Sequence, residues 1–209
     1  MLWQLLYEGK FSNGERNGKG KEYDNGRLIF EGEFFKGKKW DGKGKEFYDN
    51  YNLKYEGEYS NGKRSGEGIE YNNTNGDLEF IGEYLHGNRW KGIEFEYDEN
   101  GKLLSQSEYE CGDINGERKE YVNGTLLFAG KYLNGERNGK GKSFYYNGEL
   151  EFEGEFLNGK RNGEGKEYDN NKLIFAGKYL NGERNGKGKE YYSNGILKFE
   201  GEYLDGERM

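Results

Sequence analysis

Apolar and polar residues alternate with a period of two in short segments that recur along the whole chain. In the segment RLIFEGEFF, Phe30 and Phe34 fall on one parity, and Glu31 and Glu33 fall on the other. A period of two predicts a β-strand with one apolar and one polar face. No segment shows the 3.6-residue period of an amphipathic helix, so the pattern predicts an all-β protein.

The alternating segments repeat at a nearly constant interval. An aromatic residue precedes Gly by two positions in eight segments, and Ser107 takes the place of that glycine in one more. The steps between these positions are 23–25 residues, which predicts about nine units in residues 1–209, the last of them incomplete. The glycines are Gly9, Gly32, Gly57, Gly82, Gly130, Gly154, Gly177 and Gly201.

Each unit also carries a turn and a second short strand. Of the 23 Asn residues, 16 precede Gly, and Asn-Gly is the strongest short hairpin signal. Each unit therefore predicts one β-hairpin, and nine units predict about 17 strands and no helices. Within a strand, bare glycines let a ring from a neighbouring strand lie on the backbone. On the polar face, rows of Glu and Lys predict cross-strand ion pairs.

Composition narrows the class of protein. Hydrophobic residues make up 32% of the 209 residues and aromatic residues 17%, with 37 Gly and no Pro. The net charge is −7 with both signs mixed throughout, which is unlike a basic nucleic-acid surface and predicts no nucleic-acid partner. One Cys permits no disulfide within the chain. With no signal-peptide pattern and no membrane-spanning stretch, we expect a cytoplasmic protein.

The residues that carry catalytic chemistry are scarce. The segment GKKWDGK has the spacing of a phosphate-binding loop, but Gly44 follows where Ser or Thr would hold magnesium. Pairs such as Glu153 and Glu155 stand on a polar face beside lysines, which favours a solvated surface over acid–base catalysis. A single His86 and a single Cys111 cannot build a His/Cys zinc site. The sequence predicts no enzyme, no cofactor and no metal.

The repeat resembles the MORN repeat (membrane occupation and recognition nexus). Two copies read FEGEFLNGKRNGEG at residues 152–165 and FAGKYLNGERNGKG at residues 175–188. The resemblance implies an elongated, curved, single-layer antiparallel sheet with an aromatic groove, and roles in binding proteins, cytoskeleton or membranes. The fifth unit, SQSEYECGDINGERKEY, departs from the pattern because it lacks the first aromatic and its glycine.

The leading interpretation is a scaffold that binds a peptide or domain of a protein partner along this aromatic groove, since rigid aromatic side chains bind at low entropic cost. Trp40 and Trp90 interrupt the repeat near hairpin tips, where each either contacts the partner or packs over an inserted residue. The candidate partner-binding residues are Tyr59, Tyr84, Tyr109, Tyr132, Phe156, Tyr179, Trp40 and Trp90.

An alternative interpretation rests on arginines that recur one unit apart. Such a row would bind the headgroups of anionic phospholipids and tether the protein to a membrane. We favour a structural role, in which each arginine caps its own turn or stacks on a ring. The arginines are Arg16, Arg64, Arg137, Arg161 and Arg184.

The two ends of the sheet are expected to be open. Unpaired strand edges invite further pairing, which makes a homodimer through these edges a further expectation. The resemblance adds that the protein is peripheral to a membrane or to the cytoskeleton.

Overall fold

The computed structural model describes residues 4–209, and within them it contains only strands, turns and loops. Within each of the two compact units defined below, consecutive strands pair as antiparallel hairpins in an open sheet, and the two units together contain 18 strands. The predicted all-β fold class is confirmed, with 18 strands in place of about 17. The additional strand, Glu207–Arg208, pairs with the strand before it and starts the second half of the last repeat. No membrane-crossing helix is found in this part of the chain.

The chain divides into two compact units, of which the first ends at Glu94. Its strands are β1 (Tyr7–Ser12), β2 (Glu15–Asp24), β3 (Arg27–Phe35), β4 (Lys38–Phe47), β5 (Leu53–Ser60), β6 (Lys63–Tyr71), β7 (Leu78–Leu85) and the larger part of β8 (Asn88–Tyr97).

The second unit runs Phe95–Met209. Its strands are β9 (Leu103–Glu110), β10 (Asp113–Val122), β11 (Thr125–Leu133), β12 (Glu136–Phe144), β13 (Leu150–Leu157), β14 (Lys160–Asp169), β15 (Lys172–Leu180), β16 (Glu183–Tyr191), β17 (Leu197–Leu204) and β18 (Glu207–Arg208).

The hairpin turns have the conformation that their sequences predict. In the turn between β13 and β14, Asn158 has φ 49° and Gly159 has φ 78°. Both central residues of a type I′ turn need positive φ, which Asn and Gly adopt at low cost. His86 and Cys111 occupy the position of Asn158 in their own hairpins, with φ 53° and 56°, and both are exposed. The predicted exposure of His86 is confirmed.

The core of each repeat is an aromatic ring lying on glycine backbone. Phe152 of β13 is fully buried, and its ring covers Gly154 in its own strand and Gly165 in β14. These two glycines are paired across the strands. A Cβ added to Gly165 would lie 2.5 Å from the Phe152 ring, so only glycine leaves room for it. The predicted packing of rings on bare backbone is confirmed. In each compact unit we call the side of the sheet that carries these rings the ring face.

A second aromatic of each repeat binds the first ring edge-on. Phe156 lies 5.4 Å from Phe152 of its own repeat and 5.2 Å from Phe128 of the repeat before it, both with T-shaped geometry. Edge-to-face contacts at these distances are favourable because the ring edge is positive and the face negative. Successive repeats are therefore joined by rings that each contact two neighbours. In the second unit these rings form one cluster, with Ile114 and Phe199 packed against it.

The opposite side of the sheet in each compact unit carries paired charges, and we call it the ladder face. Glu153 lies between Lys142 at 3.3 Å and Lys166 at 3.4 Å, on the strands to either side. Lys45 pairs with Glu56 in the same way at 2.9 Å. The predicted cross-strand ion pairs are confirmed. Each exposed pair stabilises the sheet by only about 0.2–1 kcal/mol.

Replacing Gly154 by Ala is expected to lower the free energy of unfolding by about 3 kcal/mol, because the new methyl group collides with backbone and ring. Its Cβ would lie 2.6 Å from the Glu164 carbonyl oxygen and 2.7 Å from the Phe152 ring. Urea denaturation followed by circular dichroism measures the change.

Gly159→Ala in the same repeat is the matched control. Nothing lies within 4 Å of its added Cβ, and only the positive φ of 78° opposes the substitution. We expect a loss of about 1 kcal/mol. Equal losses for the two variants would contradict the packing of rings on glycine as the main core contact.

Candidate interaction surfaces

The aromatic residues predicted to bind a partner lie in the core of the ring face. Tyr84, Tyr132, Phe156 and Tyr179 are buried, while Tyr59 and Tyr109 are half-buried. Five of these rings contact other rings of the chain, so little of their surface is open to a partner; the five are Tyr59, Tyr84, Tyr132, Phe156 and Tyr179. Partner binding by these six residues stays a prediction, and the fold assigns them a structural role.

The two tryptophans predicted to contact a partner, Trp40 and Trp90, occupy inserted positions in β4 and β8, where the strand register shifts. Trp40 is half-buried and packs on Phe35, with ring centroids 5.2 Å apart. Trp90 is 40% exposed. Packing across an inserted residue therefore accounts for Trp40, whereas Trp90 presents an accessible indole surface in the first unit.

The predicted arginine row covers the outer side of the core rings. In each case the guanidinium carbon lies 4.0–4.7 Å from the centroid of the first aromatic ring of its repeat. This distance is typical of cation–π stacking. The five pairs are Arg16 on Tyr7, Arg64 on Tyr55, Arg137 on Phe128, Arg161 on Phe152 and Arg184 on Phe175.

Glutamates of the second strands neutralise these arginines. Arg64 lies between Glu46 and Glu70, and it donates hydrogen bonds to both carboxylates. Tyr59 also donates to Glu46, at 2.7 Å. Burial raises the pKa of Glu46, but the hydrogen bonds from Arg64 and Tyr59 outweigh burial and hold its pKa below the ordinary value. The guanidinium groups are thus committed to intramolecular partners.

The ladder face of the second unit contains a large groove that the sequence did not indicate. Its volume is about 1260 Å³, and it crosses β10 to β17. Seven glycines and two alanines line it, together with the side chains of six Lys and six Glu. We call it the ladder groove. Its apolar lining residues are Ala129, Gly130, Gly141, Gly154, Gly165, Ala176, Gly177, Gly188 and Gly201.

Two substitutions within the repeat widen the ladder groove. Ala129 and Ala176 stand where other repeats have a ladder glutamate such as Glu153. Ala176 faces Lys166 on one side and Lys189 on the other, so two lysines lose an ion-pair partner at this position. Without these two carboxylates, the surface has an apolar depression between rows of Lys and Glu side chains. An alignment of the nine repeats reveals both alanines, but only the fold shows that they share one concave surface.

On the ladder face of the first unit, isoleucines replace charges. Ile81 of β7 pairs with Ile69 of β6 and with Ile93 of β8, which places three isoleucines side by side. Ile81 is 39% exposed. A smaller groove of about 440 Å³ includes Ile69 and Ile81 in its lining. This unit therefore also exposes an apolar strip among charged side chains.

The described residues contain no cluster of three or more His, Cys, Asp or Glu side chains arranged to hold a metal ion. His86 and Cys111 stand at exposed turns of separate hairpins.

Tandem antiparallel hairpins, with a ring face and a ladder face in each of the two compact units, define a β-hairpin repeat protein. Six segments match the MORN repeat or its variant, so the chain belongs to the MORN-repeat family. The MORN repeat matches residues 7–26, 55–76, 152–173 and 175–196, and the variant matches residues 90–110 and 137–158.

MORN repeats are generally associated with binding to proteins and membrane lipids, and proteins built from them are generally non-enzymatic. A comparison with curated protein sequences finds no match.

The ion pairs of Glu190 with Lys198 and Arg208 predict loss of stability in acid. Burial raises the pKa of Glu190, but hydrogen bonds from Lys198 and Arg208 outweigh it and lower the pKa to about 2. In the unfolded chain this carboxyl has the ordinary glutamate pKa of about 4.5. Stability from this group is therefore present above pH 4.5 and is lost as the pH falls toward 2.

Urea denaturation at several pH values between 6 and 2 checks this expectation. Glu190→Gln should reduce the decline in unfolding free energy between pH 4.5 and 2, whereas Glu207→Gln, at an exposed position, should leave it unchanged. Identical pH dependence in wild type and Glu190→Gln would refute the assignment.

Proposed function

We propose that the protein is a non-enzymatic scaffold that binds an extended segment of a protein partner in the ladder groove of its second unit. The observation that carries the proposal is the groove itself, an open concave surface with an apolar floor and charged walls. The family membership supports it, since MORN repeats serve in binding.

The dimensions of the ladder groove suit an extended peptide. It crosses eight strands, and seven strand spacings of about 4.8 Å correspond to roughly 34 Å. An extended segment of about ten residues covers that length at roughly 3.3 Å per residue. Apolar side chains of such a segment would contact Ala129 and Ala176, while its polar side chains would meet the Lys and Glu walls.

The charge of the groove favours a protein over an anionic lipid surface. Its six lysines and six glutamates balance, so it offers both signs to a partner with mixed charges. The whole chain has a net charge of −7, which opposes approach to an anionic membrane. The arginine row that a lipid would need is stacked on rings and paired with glutamates. Lipid binding through these arginines thus has weaker support than peptide binding.

The test blocks the ladder groove while keeping the repeat pattern. In the double variant Ala129→Glu, Ala176→Glu, each new carboxylate faces two lysines, as Glu153 does in the native chain. The variant should therefore fold with unchanged or higher stability. Partners captured from a native lysate by the wild-type chain should bind at least about tenfold more weakly, because the depression is filled.

The control variant carries two glutamates at exposed loop positions, Thr74→Glu and Ser193→Glu. It matches the change in net charge and should retain full capture. Undiminished capture by the groove variant would overturn the proposal. A parallel measurement with anionic liposomes separates the alternative, because salt-sensitive liposome binding that survives the groove variant would instead support the lipid interpretation.

A further inference from the structure

The fifth repeat replaces four components of the core module at once and keeps Tyr109 as its second aromatic. Ser105 stands in place of the first ring, and Ser107 in place of its glycine. Ile114 pairs with Tyr109 as Arg137 pairs with Tyr132, so it takes the position of the capping arginine. Arg118 pairs with Ser107 as Gly141 pairs with Gly130, so it takes the position of the second glycine.

The guanidinium group of Arg118 fills the space of the absent ring. It donates hydrogen bonds to the Ser107 hydroxyl and to Glu96, both at 2.9 Å. Its central carbon lies 5.5 Å from the Tyr132 ring centroid. In regular repeats the first ring lies at the same range from the second aromatic of the next repeat, for example 5.2 Å between Phe152 and Tyr179. One planar group has thus replaced another.

The outer side of Arg118 lacks the cover that every ring in the arginine row receives. Where Arg161 stacks on Phe152 at 4.4 Å, the fifth repeat has Ile114, whose side chain carries no planar group. A cavity of about 460 Å³ lies here, lined among others by Ile114, Arg118 and Tyr132. The buried Nε of Arg118 makes no hydrogen bond. We call this cavity the ring gap.

The charged groups around the ring gap already form ion pairs with one another, which disfavours an ionic ligand. Arg118 has Glu96 at 2.9 Å and Glu120 at 3.6 Å, and Arg137 also pairs with Glu120. With Glu136 in the lining as well, acidic groups outnumber basic ones by three to two. An anion would therefore be repelled, and a cation would compete with two arginines for carboxylates already in ion pairs. A neutral planar group gains contact with Arg118 and Ile114 without opposing any of these pairs.

We propose that the ring gap binds one aromatic side chain of a protein partner, stacked on the guanidinium plane of Arg118. The layers would then run backbone, guanidinium, ring, which reverses the order backbone, ring, guanidinium of the regular repeats. The edge of the inserted ring would lie near Tyr132 and Ile114. This site is on the ring face, opposite the ladder groove, and its binding chemistry stands independently of the function proposed above.

The direct test uses p-cresol and 3-methylindole, the side-chain analogues of Tyr and Trp, with the full chain in solution. Titration should shift the NMR signal of the Arg118 Nε–H upfield, because this group lies over the face of the inserted ring, and shift the Ile114 methyl signals downfield, because they lie at its edge. The Arg118→Lys variant assigns the Nε–H signal, and by removing the planar surface it should also weaken binding about tenfold.

Ile114→Arg is the decisive variant, because it installs the cap of the regular repeats and closes the ring gap. We expect at least about tenfold weaker binding of both analogues. Thr74→Arg adds the same charge in an exposed loop and should leave the titration unchanged.

Three results would overturn the proposal. These are absence of shifts at Arg118 and Ile114 at millimolar analogue, an unchanged titration in Ile114→Arg, or stronger shifts with acetate or methylguanidinium than with p-cresol. Since no partner protein is used, the outcome does not depend on whether the ladder groove binds a peptide.

Discussion

A flat aromatic ring on a pair of cross-strand glycines is the contact on which the rest of the structure depends. The Phe152 ring reaches the backbone of two strands only because Gly154 and Gly165 carry no side chain. Close approach of this kind gives a fully buried ring within a sheet one layer thick. A sheet with no second layer would otherwise have to leave its large apolar side chains in water.

The need to cover the outer side of each ring explains the arginines. In a two-layer fold another sheet or helix would cover the rings, whereas here the guanidinium of Arg161 or Arg184 does so. A half-buried cation needs a counterion, which Glu167 supplies to both arginines. The ring face of the regular repeats is therefore a self-contained core, whereas on the ladder face alanine and isoleucine replace charges in a few repeats.

The fifth repeat shows that the module depends on filling its space with a planar group more than on one residue type. Arg118 occupies the place of a ring and donates hydrogen bonds to Ser107 and Glu96, and Ser105 donates to the same glutamate. Burying a guanidinium is tolerable only with such partners. Ile114 replaces the arginine that covers the ring in the regular repeats, and this replacement leaves a cavity on the ring face.

The sequence by itself determined the strands, the turns and the repeat, because these depend on local patterns. Alternation of residues such as Phe30 and Glu31 sets the two faces, and Asn-Gly pairs set the hairpins. It also predicted that rings lie on glycine and that the arginines stack on rings, which the distances for Arg64 and Arg137 bear out.

Only the tertiary structure decided which face is open. Alternation shows that aromatic residues share a face, but it does not show whether their rings point to a partner or contact one another. Pairing between strands brings Phe128 and Phe156 within 5.2 Å, although 28 positions separate them in the chain. The same pairing gathers Ala129 and Ala176 into one groove, and sets Arg118 beside Ser107. Such neighbours are created by strand register across the sheet, a long-range property that a local pattern does not contain.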